Sequence, residues 1–329
     1  MIVITGAAGF IGSNVVAALN AEGNQDLIAV DTVDAPSITG NLNDLKIKHF
    51  VARDELLRWM EEHHRQMDAL IHLGACSDTF VTDREFVMRN NFDYSRMLWD
   101  FCARQKKRFV YASSAATYGD GSAGYDDNAD PNTLKPLNLY GESKHRFDLW
   151  ALAEARKPAG WAGLKFFNVY GPRERHKGRQ SSVVLQAYDQ VREQSRVKLF
   201  KSNHPEIADG AQKRDFIYVK DTVAAILHFM RAPEEKMNAL FNVGTGQARS
   251  FAELASAVFL ALHQEPRIDY IAMPANLNGK YQYFTQAVVD KLRRSGFTHQ
   301  FHSLEEGVAE YVKGLSVSPA PFTNNGLHK

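Results

Sequence analysis

Apolar residues in this chain fall into short unbroken runs separated by longer stretches in which they recur every third or fourth position. Met1-Ile2-Val3-Ile4, Leu27-Ile28-Ala29-Val30, Ala69-Leu70-Ile71-His72-Leu73 and Arg108-Phe109-Val110-Tyr111-Ala112 have the length of strands buried on both faces. Helical patterns lie between them, through Val15, Val16 and Leu19 and again from about Arg84 to Arg104. Buried strands alternating with amphipathic helices, without internal repeats, predict an α/β fold built on a doubly wound parallel sheet. The second half is less regular. Gly171-Pro172, Asn203-His204-Pro205 and Asn276 to Gly279 mark loops, Phe216 to Val219 and Phe241 to Gly244 read as strands rejoining the sheet, and Ser250 caps a helix through Phe251, Leu254, Val258 and Leu262. The expected division is a sheet domain of residues 1–168 rejoined by about 214–245, a smaller C-terminal α/β lobe of 169–213 and 246–315, and a loosely ordered tail of 316–329.

Lys and Arg total 39 against 38 Asp and Glu, so the overall charge gives no reason to expect nucleic acid or an anionic membrane as partner. No apolar run is long enough to span a bilayer, and the chain opens on a strand rather than a signal sequence, so the expected compartment is the cytoplasm. Two distant cysteines, Cys76 and Cys102, make neither a disulfide framework nor a CxxC metal site, and both read as small buried apolar residues; no metal is expected.

The first run leads into Thr5-Gly6-Ala7-Ala8-Gly9-Phe10-Ile11-Gly12 and then a helix. Strand, glycine-rich turn and helix form the setting in which Gly6, Gly9 and Gly12 admit a pyrophosphate to the helix N-terminus, which makes the sheet Rossmann-type. The second run ends in Asp31, placed to hydrogen-bond an adenosine ribose, with Thr32 beside it. A carboxylate alone favours NAD; Lys46, Lys48 or Arg53 could supply the cation that NADP requires, and local chemistry leaves the two open. The third run opens into a loop of small residues, Leu73, Gly74, Ala75, Cys76 and Ser77, at the carboxyl end where ligands bind, and an Asn of the following helix, Asn90 or Asn91, could orient cofactor or that loop. His72 reads as a hydrogen-bonded core histidine.

In Asn138-Leu139-Tyr140-Gly141-Glu142-Ser143-Lys144, Tyr140 and Lys144 share one face if the stretch begins a helix. A nearby ammonium favours phenolate, giving a proton shuttle for an alcohol that loses or gains hydride. Ser113-Ser114 ends the fourth strand, where a hydroxyl can bond the same reacting oxygen, completing a Ser114, Tyr140, Lys144 set.

TGAAGFIG at the start, YASSAATYG at 111–119 and YGESK at 140–144 resemble the extended short-chain dehydrogenase/reductase family. HLGACSD (72–78), KPLNLYGESK (135–144), FFNVYGPRERHKG (166–178), QKRDFIYVKD (212–221), FNVGTG (241–246) and GKYQYFTQA (279–287) are similar to its branch of ADP-heptose 6-epimerases, over the chain to about Phe297. The resemblance implies inversion of C6″ of ADP-D-glycero-D-manno-heptose for lipopolysaccharide inner-core synthesis, through transient oxidation to an aldehyde. It implies one tightly held NADP per subunit, with NAD as the other possibility, and a homo-oligomer, in that branch a pentamer. By resemblance Tyr140 and Lys177 are two acid/base groups, Lys144 tunes Tyr140 and holds the nicotinamide ribose, and Ser114 bonds the reacting oxygen. Phe10, Ile11, Arg53, Asn90 and Val169 join the cofactor residues. Asn168, Arg179 and Gln186 face the sugar, while Phe200, Lys201, Ser202, Asn203, Arg214 and Tyr281 surround the ADP. Arg214 also makes independent sense, since a guanidinium suits a diphosphate; pairing with Asp215 is the other reading. Two departures stand out: some members have serine and histidine where Arg179 and Gln186 fall, and some carry a lysine after Asp31 where this chain has Pro36-Ser37-Ile38.

A nucleotide-sugar 4,6-dehydratase typically has an acidic pair where this chain has Ala115-Ala116. A UDP-hexose 4-epimerase, the principal alternative, manages with one tyrosine and leaves Lys177 unexplained. A dinucleotide sensor has no need of Ser114, Tyr140 and Lys144 together.

Overall fold

A computed structural model describes residues 1–32, 40–274 and 281–317. The expectations for Pro36-Ser37-Ile38, Asn276 to Gly279 and the tail from 318 lie outside the described residues.

The apolar runs form β1 (Ile2–Thr5), β2 (Leu27–Asp31), β3 (His49–Ala52), β4 (Ala69–His72), β5 (Arg108–Ser114) and β6 (Trp161–Phe166). β7 (Asn168–Tyr170), β8 (Val197–Phe200), β9 (Lys213–Tyr218), β10 (Ala239–Val243), β11 (Ala248–Ser250) and β12 (Ile268–Ile271) follow. The seven-stranded sheet has the order β10-β6-β5-β4-β1-β2-β3, every pair parallel. Side chains alternate between its faces. Ile2 and Ile4 join one apolar cluster with Val15, Val16, Leu19 and Ile226, and Val3 joins another with Leu98, Trp99, Cys102 and Phe147. Trp99 is fully buried with its ring against the edges of Phe109, Phe147 and Trp161, a core position where truncation costs about 3–5 kcal/mol.

The helices that matter here are α1 (Phe10–Ala21), α2 (Leu56–His63), α3 (Arg84–Met88), α4 (Tyr94–Arg104) and α5 (Leu139–Ala153). They are followed by α6 (Val183–Gln194), α7 (Val219–Arg231), α8 (Phe251–Ala261), α9 (Asp290–Arg294) and α10 (Leu304–Val317). The helix expected over Arg84 to Arg104 carries a π turn at Arg89–Asp93. Ser250 does cap α8, in a reciprocal box with Glu253.

Three corrections concern the second half and the cysteines. The strand read at Phe216 to Val219 is β9, and it does not rejoin the large sheet: β10 takes the edge beside β6, while β9 pairs with β7 and β11. Val219 instead opens α7, which packs back against α1. Order extends past Leu315, since α10 runs to Val317 and is tied down by His302, whose backbone N–H and ring both meet the buried Asp221. Cys102 is buried as expected, whereas Cys76 is only half-buried in the loop after β4. No helix among the described residues is long and apolar enough to cross a membrane.

Candidate active site

The carboxyl ends of the central strands bring the chemistry together. Gly6 lies in the left-handed region at φ +66°, and a Cβ there would stand 2.7 Å from the backbone N of Gly74. A Cβ on Gly12 would fall 2.0 Å from the Gly6 carbonyl oxygen. The turn after β1 and the small-residue loop after β4 therefore approach closely enough that no side chain fits at Gly6. Leu73 N–H donates to the Thr5 carbonyl and Gly74 N–H to the Thr5 hydroxyl. The N-terminus of α1 carries no side-chain cap, which leaves its N–H groups for an anion. Asp31 closes the turn by accepting from Ala8 N–H and Thr32 N–H, both at 2.9 Å, and burial pushes its carboxyl up. This cradle fits a dinucleotide.

Parallel register separates the three candidate cations. Asp31 pairs with Ala52, so Arg53 emerges beside it at the carboxyl end, with its guanidinium 4.6 Å from the Tyr94 ring. Lys46 and Lys48 precede β3 at the far end of the sheet, and Lys48 is bound to Asp26.

Asn138 caps α5 by accepting from Gly141 N–H, which puts Tyr140 in the first turn and Lys144 one turn on. Ser114 ends β5, accepts from Ala116 N–H as a cap and hydrogen-bonds the Tyr140 phenol. Burial pushes the phenol up and the Ser114 bond pulls it back. Lys144, 4% exposed, donates to the Ala112 carbonyl at 2.8 Å, and burial pushes it down to about 8.

That lowered value has a sign. Between about 8 and the ordinary 10.5 the folded chain holds fewer protons at Lys144 than the unfolded chain does, so stability rises with pH across that window. Below it the burial cost is fully present. Lys144→Met should therefore abolish turnover yet raise the pH 7 melting temperature by about 2–4 °C, and flatten the rise above pH 8. Thermal unfolding against pH checks this, and a variant less stable than wild type at pH 7 would contradict it.

Of the two asparagines that could orient the small-residue loop, Asn91 is the one that braces it. Its side chain pairs with both backbone groups of Cys76 and donates to Ser143 on α5. Its neighbour Asn90 spends its amide on the Phe86 carbonyl. The π turn explains the choice, because it rotates successive side chains out of ordinary helical phase and turns Asn91 toward the loop. His72 extends the brace, bonding Thr5 and Ser95 on either side of the strand as a core histidine.

Lys177 lies in the 3₁₀ segment Arg175–Gln180, with its ammonium 5.3 Å from the Phe10 ring, and burial pushes it below the ordinary lysine range. Asn41 docks this segment on the glycine turn, contacting the Ala8 and Arg173 carbonyls and the His176 ring. Buried Glu174 anchors the other side through Gly171 N–H and Ser182. Arg179 lies over Phe80, while Gln186 spends its amide on the Ser181 and Arg179 carbonyls. Asn168 opens β7 on an exposed edge, and Val169 follows it.

A second cluster centres on Arg214 in β9. It is 6% exposed, its guanidinium lies 5.0 Å from the Tyr281 ring and 5.6 Å from that of Phe251, and its hydrogen bond goes to its own neighbour, the Lys213 carbonyl. Asp215 does not pair with it; that carboxylate accepts from Thr245, Gly246 and Ala287. Among the described residues the guanidinium meets no carboxylate. Gln212, two positions before Arg214, donates to the carbonyl of Phe200 at the end of β8, Lys201 follows, and Ser202 N–H donates to Asp209. Asn203 sits in the same loop.

A sequence model described as the NAD dependent epimerase/dehydratase family matches residues 2–244. A Nitratidesulfovibrio vulgaris protein named ADP-L-glycero-D-manno-heptose-6-epimerase is 48% identical over 325 residues, spanning 98% of this chain and 100% of the relative. A Fusobacterium nucleatum protein of the same name is 46% identical, spanning 95% and 97%. The solved Helicobacter pylori ADP-L-glycero-D-manno-heptose-6-epimerase superposes with a TM-score of 0.82 at 30% identity, over 96% of each chain.

Proposed function

The chain belongs to the NAD dependent epimerase/dehydratase family, and on that premise we infer that it is an ADP-heptose 6-epimerase, inverting C6″ of ADP-D-glycero-D-manno-heptose for lipopolysaccharide inner-core assembly. The observation that carries this reading is a pair of half-buried candidate proton carriers on separate elements at the carboxyl end of the sheet: Tyr140 on α5, hydrogen-bonded to Ser114, and Lys177 docked on Phe10 at the glycine turn. Gly6, Gly9, Phe10, Ile11 and Gly12 would hold the pyrophosphate of a nicotinamide dinucleotide, Asp31 and Thr32 its ribose, and Leu73 to Ser77 with Val169 would line its path. When bound it would supply the acceptor and donor for the C6″ hydride.

The protein's own part is to move protons and orient the sugar. Tyr140 takes the C6″ hydroxyl proton as the carbon becomes an aldehyde. After the aldehyde turns its other face, the oxygen stands elsewhere, and Lys177 delivers the proton that restores the alcohol. Inversion without net oxidation needs a carrier at each position of the oxygen. Lys144 biases Tyr140 toward phenolate and Ser114 fixes the oxygen. Asn168, Arg179 and Gln186 face the heptose; Phe200, Lys201, Ser202, Asn203, Arg214 and Tyr281 hold the ADP. Arg53, alone of the three candidate cations at the right end of the sheet, favours NADP. The division into a sheet domain and a substrate lobe follows the same placement, and the working form is a homo-oligomer, five subunits by resemblance.

Purified protein incubated with either heptose epimer should drive both to the same final mixture, and mass spectrometry of the co-purified nucleotide should give the mass of NADP. The mass of NAD would reassign Arg53. Inert heptose epimers, or turnover of a UDP-hexose instead, would overturn the reading.

A further inference from the structure

Below Ser114, Tyr140 and Lys144 lies a buried polar network that the mechanism above does not use. Asp148 is wholly buried on α5, one turn beyond Lys144 and two beyond Tyr140 on the same helix face. Its carboxylate accepts from the Tyr111 phenol at 2.9 Å and the Ser113 hydroxyl at 2.7 Å, both on β5, and meets Lys165 Nζ on β6 at 3.2 Å. Lys165, 2% exposed, donates to the Thr117 hydroxyl at 2.6 Å, and Thr117 in turn donates to the Ser114 carbonyl. The Tyr111, Ser113 and Thr117 hydroxyls each donate within the network, and the Lys165 ammonium, shared between Asp148 and Thr117, also lies over the Tyr118 ring.

Burying such an ion pair is a poor route to stability, since apolar residues of similar volume do as well or better. Its position points to another use. We propose that Asp148 is a positioning residue for the reaction: by joining α5 to β5 and β6 through Tyr111, Ser113 and Lys165, it holds Tyr140 and Lys144 against Ser114 and places a fixed negative charge beneath Lys144. The assignment rests on the epimerase reading above.

The charges facing this site agree with that use. On α5 the carboxylate faces Lys144, His145 and Tyr140; on β5 it faces Tyr111, with Tyr118 just beyond; on β6 it faces Lys165. His72 on β4 faces Lys144 and is held neutral by burial. Burial lowers the Lys144 amine, and the Asp148 carboxylate opposes the fall. Without the carboxylate the ammonium would be lost at lower pH, and with it the field that favours Tyr140 phenolate.

The test titrates Lys144 in holoenzyme carrying lysine labelled with ¹³C at Cε, the signal assigned with Lys144→Met. Asp148→Asn should move the Lys144 midpoint down by about one unit, and bring the alkaline limb of kcat to lower pH with KM little changed. Because Asp148→Asn strands Lys165, Asp148→Asn/Lys165→Met removes both charges and keeps the fold testable; its Lys144 midpoint should also move down, by less than in Asp148→Asn, since the lost Lys165 charge opposed that of Asp148. A Lys144 midpoint unmoved in whichever variants fold overturns the proposal. If wild type fails to turn over the heptose epimers, the epimerase reading falls, and the Lys144 midpoint still decides what Asp148 does.

Discussion

Tyr140→Phe should lower epimerisation of ADP-heptose by roughly 10²–10⁴-fold, and Lys177→Ala by a similar factor, the range seen when a positioned proton carrier is removed. Neither substitution should disturb the fold or the co-purified nucleotide. The phenol oxygen bonds Ser114 rather than the core, and the Lys177 ammonium lies over Phe10, with no ion pair among the described residues. The two losses differ in kind. A small primary amine in the buffer can stand in for an absent lysine, so methylamine should restore part of the turnover of Lys177→Ala and none of that of Tyr140→Phe. Initial rates with each epimer, with and without amine, check this. Near-normal turnover of Lys177→Ala would remove the second carrier and leave a one-tyrosine mechanism of the kind a 4-epimerase uses.

What the sequence made legible follows from how local each signal is. The strands β1, β2, β4 and β5 are continuous apolar runs, the glycine turn needs its backbone conformation, and the Tyr140 to Lys144 spacing needs only one helical turn; each is decided within about ten residues. Long-range pairing is not decided that way. Phe216 to Val219 reads as a sheet strand because it is an unbroken apolar run, and nothing within it says that β10 takes the place beside β6. Which of Asn90 and Asn91 meets the loop was hidden for a similar reason. Two adjacent asparagines in a helix are indistinguishable until a π turn directs one toward Cys76 and the other toward Phe86. The Asp148 and Lys165 pair joins elements 17 positions apart in the chain through Ser113 and Tyr111, and only the strand register that sets Ser113 opposite Lys165 brings it together. Arg214 was visible as a candidate, but whether Asp215 neutralised it depended on Thr245, Gly246 and Ala287, distant residues that claim the carboxylate.

Arg214→Met should weaken ADP binding by about 2–5 kcal/mol, roughly 30-fold to several thousand-fold, the usual consequence of removing one member of a desolvated charge pair. The guanidinium is nearly buried between Tyr281 and Phe251, and burial pushes it below the ordinary arginine range with only the Tyr281 and Tyr125 phenols opposing. In the ligand-free chain it is a buried cation held by aromatic faces and one carbonyl, so its cost is borne before any ligand arrives. Methionine fills the same space without charge, and the ligand-free variant should melt no lower than wild type. A diphosphate brings the negative charge that the site lacks, so the gain in melting temperature that ADP gives wild type should all but vanish in the variant. Adenosine, which has no diphosphate, should bind both proteins alike through the aromatic rings. Thermal shifts and calorimetry with ADP and adenosine separate the two contributions. If ADP stabilises Arg214→Met as much as wild type, the diphosphate lies elsewhere and the uncompensated guanidinium in β9 serves another anion.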